Sequence, residues 1–212
     1  MTDTGKYRLS ILDVSIFSDT QAFDFWYQQM PAWRKRKIDA MKHESGKMLS
    51  LGVGVLLHSA LNNMGLNEPQ EAQTNEHERP YYAEYPELHF SLSHSGTKAF
   101  CAISNDLIGC DVEKIKHRDT DIAKRFFTTQ ENNILDSIAD VKERNEMFFR
   151  MWTLKESFLK AIGTGLDTST DSFSILPESD RITIEQSITE ADCNFVELDF
   201  NDGYRYALCH IK

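Results

Sequence analysis

Two stretches decide how this chain is read: Ile108-Gly109-Cys110-Asp111-Val112-Glu113 and Trp152-Thr153-Leu154-Lys155-Glu156-Ser157-Phe158-Leu159-Lys160. The first has the composition of a strand, in which alternate side chains share a face, so Asp111 and Glu113 point the same way. The second reads as part of a helix spanning Asn145 to Ala161. Met151, Leu154, Phe158 and Ala161 form its core-facing stripe, and Glu156 and Lys160 lie one turn apart, well off that stripe. Such a helix can pack and present charge at once. Three carboxylates and an ammonium brought together suit a hard divalent cation and a phosphate-bearing substrate. Taken singly, the motifs fit blander roles: a solvated strand edge, and an i, i+4 ion pair of about 0.3–0.5 kcal/mol.

Outward from these stretches the pattern is α+β. Tyr7 to Phe17 reads as an opening strand, and Gln21 to Met30 as a short helix ended by Pro31. Trp33-Arg34-Lys35-Arg36-Lys37 is the one dense basic cluster. The pattern turns helical from Asp39 to about Met64, with Gly65 as the C-terminal stop. Asn67 to Glu78 is polar and reads as a surface loop. His89 to Leu92 and Ala99 to Ser104 form a hairpin around Ser95-Gly96-Thr97. Asn105-Asp106 is a turn, and the boundary between residues 1–105 and 106–212 falls there. Thr128 and Glu131 make a capping box for a helix to about Ile138. Four strand-like segments follow: Ser172 to Ile175, Arg181 to Ile184, Phe195 to Phe200 and Tyr204 to His210.

The 212 residues carry a formal net charge of −10, which argues against nonspecific nucleic-acid binding. No apolar run is long enough to span a bilayer, and the first residues lack a signal-peptide pattern. Cys101, Cys110, Cys193 and Cys209 sit among apolar neighbours without Cys-x-x-Cys spacing, so buried reduced thiols and a cytoplasmic setting are expected.

In its motifs the chain resembles the 4'-phosphopantetheinyl transferases of the larger, Sfp-like branch. The resemblance rests on Gly109, Asp111 and Glu113, on Trp152, Lys155, Glu156, Ser157 and Lys160, on Ser93-His94-Ser95-Gly96 after an apolar strand, and on Phe126-Phe127-Thr128. Matches run from about Arg34 to about Ser174. The family implies two similar α+β halves forming a pseudo-dimer, with the active site at their junction. It implies transfer of the phosphopantetheine arm of coenzyme A to a serine of an acyl or peptidyl carrier protein, releasing adenosine 3',5'-bisphosphate.

The resemblance also assigns roles. Asp111, Glu113 and Glu156 correspond to the ligands of Mg2+, which Mn2+ could replace. Glu156 is the candidate base, acting directly or through a metal-bound water. Lys160 would stabilise charge on the leaving group, with Lys155 in support. Coenzyme A would meet Arg34, Lys47, Arg79, Ser93, His94, Asp111 and Lys160. Lys47 stands where the family has an arginine, which keeps the charge and loses the bidentate fork. Cys110 departs from the usual Ile or Val and has no expected chemical role. Gly109, Gly163 and Gly165 fit close backbone approach or loop bends. A monomer without nucleic-acid or membrane partners is expected, and an acidic carrier would dock through a local apolar or basic patch. Two alternatives use the same residues: a metal-dependent pyrophosphohydrolase, which would consume coenzyme A without an acceptor, and a non-catalytic binding module, which would have lost a motif carboxylate or lysine.

Overall fold

A computed structural model describes residues 2–116, 120–178 and 181–212. The chain opens with strands β1 (Thr2–Asp3) and β2 (Tyr7–Asp13). The expected strand to Phe17 stops at Asp13, whose carboxylate accepts the Ser15 N–H at 3.0 Å and caps a 3-10 turn over Val14–Ser18. Helix α1 (Thr20–Gln29) follows, and Pro31 separates it from α2 (Ala32–Asp39). The basic cluster is therefore itself a helix, and the expected helix from Asp39 begins instead at Glu44, as α3 (Glu44–Asn63). Helix α2 ends at the C-cap Ala40, and the non-helical residues 41–43 break what periodicity alone reads as continuous. Gly65, at φ 72, ends α3 as expected.

The polar loop carries one small ribbon, β3 (Gln73–Thr74) with β4 (Pro80–Tyr81). Then come β5 (His89–Ser95), β6 (Lys98–Ser104) and β7 (Leu107–Lys114). After a 3-10 segment at Thr120–Arg125 lie α4 (Thr129–Ser137) and α5 (Val141–Ile162), the motif helix. The last strands are β8 (Ser174–Pro177), β9 (Ile182–Glu185), β10 (Cys193–Leu198) and β11 (Tyr204–Ile211). The α4 capping box is present, and α5 starts earlier than expected because Asp140 caps it through the Glu143 N–H at 2.8 Å.

Two antiparallel sheets organise the molecule. One has the order β1-β2-β6-β5 and the other β10-β11-β7. Helix α3 packs on the first, burying Leu51, Leu57 and Leu61 completely. Helix α5 packs on the second, and its stripe residues Met151, Leu154, Phe158 and Ala161 are fully buried, as the periodicity predicts. Trp152 packs edge-on to Phe126 and stacks with Phe148, a core role. All four cysteines are free. Burial pushes the Cys110 thiol up to about 12, so it stays protonated, as its hydrophobe-like reading requires. Among the described residues, no helix is long and apolar enough to cross a membrane.

Candidate active site at the seam between the sheets

The edge strands β5 and β7 run in the same direction but share no backbone ladder. Their join is made by side chains. Ser91, Ser93 and Ser95 lie on one face of β5, and their hydroxyls accept the backbone N–H groups of Cys110 (2.9 Å), Val112 (3.3 Å) and Lys114 (3.1 Å). A constant offset of 19 residues holds along the row. The β7 backbone donors, which would otherwise be buried and unpaired, are thereby satisfied.

The same hydroxyls set the carboxylates. Ser93 Oγ donates to Asp111 Oδ1 at 2.7 Å, and Ser95 Oγ donates to Glu113 Oε2 at 2.7 Å. Helix α5 supplies the rest. Lys160 Nζ donates to Asp111 Oδ1 at 2.6 Å, and Glu156 lies close enough to feel Asp111 and Glu113. This approach of helix to strand depends on Gly109. A Cβ there would sit 2.0 Å from Ser157 O and 2.3 Å from Ala161 N.

The electrostatics are those of an anion cluster with too little countercharge. Burial, then the charge of Asp111, raises the carboxyl of Glu113 above its ordinary value. Burial, then Asp111 and Glu113, does the same to Glu156. Burial pulls the Lys160 ammonium down, but Asp111 more than offsets this and leaves it raised. Asp111 is 4% exposed, and its Oδ2 is buried with no partner. Among the described residues, no three His, Cys, Asp or Glu side chains converge on one point as a ready-made metal cage. The carboxylates are instead engaged by protein donors, Asp111 by Ser93 and Lys160, and Glu113 by Ser95. A buried, orphaned carboxylate oxygen beside two glutamates that resist ionisation fits an added cation.

His94, the next residue on β5, alternates away from the serine row and keeps part of its side chain in solvent. Partial burial, then the charges of Lys160 and Arg34, holds its imidazole below the ordinary value. Of the basic cluster, Arg34 alone turns inward, at 4% exposed, with its guanidinium 4.2 Å from the Trp33 ring centre and its Nε unpartnered. Its neighbours point elsewhere: Lys35 to the Gln28 carbonyl, Arg36 to Glu71, Lys37 over Trp33.

Three expected residues are not brought to this group. Lys155 is fully buried on the far side of α5, paired with Glu131 at 2.7 Å and donating to Phe173 O at 2.6 Å. Its place nearer the apolar stripe explains this, and its two contacts tie α5 to α4 and to the carbonyl just before β8. The Arg79 guanidinium donates to Ala161 O (2.8 Å) and Ile108 O (2.9 Å), clamping the end of α5 to β7. Lys47 pairs with Glu44 one turn away at 2.7 Å. Arg79 still borders a cleft of about 200 Å³, lined also by Pro80, Phe90, Leu92, Leu159 and Lys160. Gly163 and Gly165, with φ of 73 and 56, make the bends at its rim.

Sequence reasoning took Ser93 and His94 but missed Ser91 and Ser95 as parts of the join. Their alternation along one strand was the available signal. The acidic Glu68, buried against His58 and Tyr82, carried no signal in a loop that reads as polar surface.

Comparison with known proteins gives concordant matches. The family model of the 4'-phosphopantetheinyl transferase superfamily matches residues 107–209. The 4'-phosphopantetheinyl transferase Sfp of Bacillus subtilis (strain 168) is 37% identical over 138 residues, 64% of this chain and 61% of that protein. The aligned part thus spans about three fifths of that relative's length. The 4'-phosphopantetheinyl transferase ffp of Bacillus subtilis is 32% identical over 182 residues, covering 84% of this chain and 80% of that protein. Among solved structures, the holo-[acyl-carrier-protein] synthase of Thermotoga maritima matches with a TM-score of 0.43 and 21% identity, over 50% of this chain and 62% of that one.

Proposed function

The chain belongs to the 4'-phosphopantetheinyl transferase family, and from that premise we propose that it moves the 4'-phosphopantetheine arm of coenzyme A onto a serine of an acyl or peptidyl carrier protein. The observation that carries the reading is the seam itself: Asp111, Glu113, Glu156 and Lys160 grouped beside a cleft that Lys160 and Arg79 line.

The reaction forms one P–O bond, from the carrier serine to the β-phosphorus, and breaks the bond from that phosphorus to the bridging oxygen. Adenosine 3',5'-bisphosphate leaves with the bridging oxygen. Asp111, Glu113 and Glu156 would hold Mg2+, or Mn2+ with the same ligands, which when bound supplies positive charge to the pyrophosphate. Glu156 is read as the base that takes the serine proton. Lys160, fixed on Asp111, offers its remaining N–H donors to the departing phosphate. Arg34 and His94 are read as contacts of the 3'-phosphate, and the cleft bordered by Arg79, Pro80 and Phe90 as the space for the nucleotide. Lys155 is assigned a structural part, consistent with its buried partner. The proposal further holds that the protein works as a cytoplasmic monomer of two α+β halves, residues 1–105 carrying nucleotide contacts and 106–212 the carboxylates.

The test is intact mass spectrometry of an apo carrier protein incubated with the protein, coenzyme A and Mg2+, with and without EDTA. The carrier gains one phosphopantetheine arm, the gain disappears with EDTA, and Asp111→Ala abolishes it while the protein stays folded. Coenzyme A consumed with no gain on several unrelated carriers would instead indicate a pyrophosphohydrolase.

A further inference from the structure

Ser93 and Ser95 each make two bonds to β7, and the second of them sorts the oxygens of the carboxylates. Asp111 is the clearest case. Its Oδ1 accepts two donors, Ser93 Oγ at 2.7 Å and Lys160 Nζ at 2.6 Å. Two donors use both lone pairs of that oxygen. Its Oδ2 is buried and has no partner. Glu113, two residues along β7, follows the same pattern. Ser95 Oγ donates to its Oε2 at 2.7 Å, and among the described residues nothing bonds Oε1.

The hydroxyls are held in this orientation. A hydroxyl has a single proton to give. Ser93 Oγ accepts the Val112 N–H at 3.3 Å and Ser95 Oγ accepts the Lys114 N–H at 3.1 Å, so a lone pair of each is turned toward β7 and the proton is left for the carboxylate. Ser93 is 7% exposed, so water competes little for its bond. Neither strand is free to shift. Strand β5 is laddered to β6 through Ser93↔Phe100 and Ser95↔Lys98, and β7 to β11 through Asp111↔Ala207 and Glu113↔Arg205.

The sorting bears on which cation the site accepts. Ca2+ takes about six to eight oxygens and accepts both oxygens of one carboxylate, whereas Mg2+ demands a near-ideal octahedron. The two oxygens of one carboxylate lie too close together to fill two corners of that octahedron. We infer that Ser93 and Ser95 are positioning residues that restrict Asp111 and Glu113 to one oxygen each toward a bound cation, and so select Mg2+ or Mn2+ against Ca2+. This rests on the reading of these carboxylates as metal ligands. It adds a selectivity that three carboxylates do not carry by themselves.

The experiment reads metal affinity rather than turnover. The protein with coenzyme A and no carrier is titrated with Mn2+, and the free ion is followed by electron paramagnetic resonance against a protein-free control. Mg2+ and Ca2+ are then compared by how well each displaces Mn2+. Ser95→Ala leaves both oxygens of Glu113 open. It is expected to weaken Mg2+ about tenfold, the lower end of the loss when the partner of a metal ligand is removed, and to leave Ca2+ as tight as before or tighter. Ser95→Thr keeps the hydroxyl and should restore the wild-type ratio of the two affinities. A merely structural lesion would weaken both ions in parallel, and that result overturns the inference. If Asp111→Ala binds Mn2+ as the wild type does, the reading of the carboxylates as ligands fails first. If Asp111→Ala loses the ion but Ser95→Ala keeps the wild-type ratio, the inference alone fails. Should Ser95→Ala not fold, Ser93→Ala, which frees one lone pair of Asp111 Oδ1, is expected to shift the ratio in the same direction. An unchanged ratio in that variant counts against the inference.

Discussion

Replacing Gly109 with alanine tests the geometric core of the site. The added methyl would lie 2.0 Å from Ser157 O, 2.3 Å from Ala161 N and 2.9 Å from Lys160 C. Ordinary contacts between such atoms are about 3.5 Å, so α5 and β7 must separate by about 1.5 Å. All three obstacles are backbone atoms of α5, so no side chain can turn aside. Overpacking of this kind costs about 1–3 kcal/mol, and the rigid obstacles put this site near the top. For a chain of this size about 3 kcal/mol lowers Tm by about 6–12 °C. The retreat also draws Lys160 Nζ away from Asp111 Oδ1, now 2.6 Å apart. A misplacement of about 1 Å at a reacting centre can cost about a hundredfold in rate, so turnover should fall at least tenfold in the folded variant. Thermal melting and the carrier assay on one preparation measure both effects. Gly46→Ala is the control, since its methyl would meet Met41 only at ordinary distances of 3.5 Å and beyond, within α3. That variant should be unchanged or slightly more stable. A Gly109→Ala protein with wild-type Tm and turnover would refute the claim that this close approach fixes the site.

Three further outcomes follow from the same geometry. Lys155→Met leaves Glu131 buried without its partner and should cost about 3–5 kcal/mol, with stability partly recovered in Lys155→Met/Glu131→Gln. Rate per folded molecule should change little, and a large loss of rate at full stability would restore Lys155 to the chemistry. His94→Ala should raise KM for coenzyme A more than it lowers kcat, and an equal effect with the dephospho donor would remove the 3'-phosphate as its target. The third concerns pH. Glu113 and Glu156 are raised above the ordinary glutamate value of 4.5, so in the window just above 4.5 the folded protein binds more protons than the unfolded chain. Their contribution therefore makes the metal-free protein more stable as pH falls through that window, and less stable as pH rises out of it. Calorimetry in EDTA should show Glu156→Gln more stable than wild type near neutrality, with the advantage fading as the solution is acidified. A constant difference across that range would contradict the assignment.

The sequence carried much of this site because the motifs coincide with regular elements. Asp111 and Glu113 share a face by the period of a strand, and Glu156 and Lys160 by the period of a helix, so their mutual geometry was readable within each element. The helix stripe from Met151 to Ala161 was readable for the same reason, as was the capping box at Thr128 and Glu131. What crosses between elements was not. Arg79 carries the same charge whether it meets a ligand or two carbonyls, and only the chain path shows the carbonyls of Ile108 and Ala161 already taking it. Lys155 is polar in sequence yet fully buried, because its partner Glu131 lies on another helix. The break between α2 and α3 was hidden because apolar and basic residues keep a helical spacing through Asp39.

The serine row of β5 has a consequence beyond the chemistry. A sheet ending at β7 would present the N–H groups of Cys110, Val112 and Lys114 as an open template for any extended chain, the usual route to edge-to-edge aggregation. Here three hydroxyls occupy those donors. They are too short and too locally committed to recruit another strand, so the edge is closed without being extended. A protein that loses Ser91 or Ser93 therefore keeps a buried N–H without a partner beneath β5, and a melting curve should register that loss while sedimentation still shows the same single species.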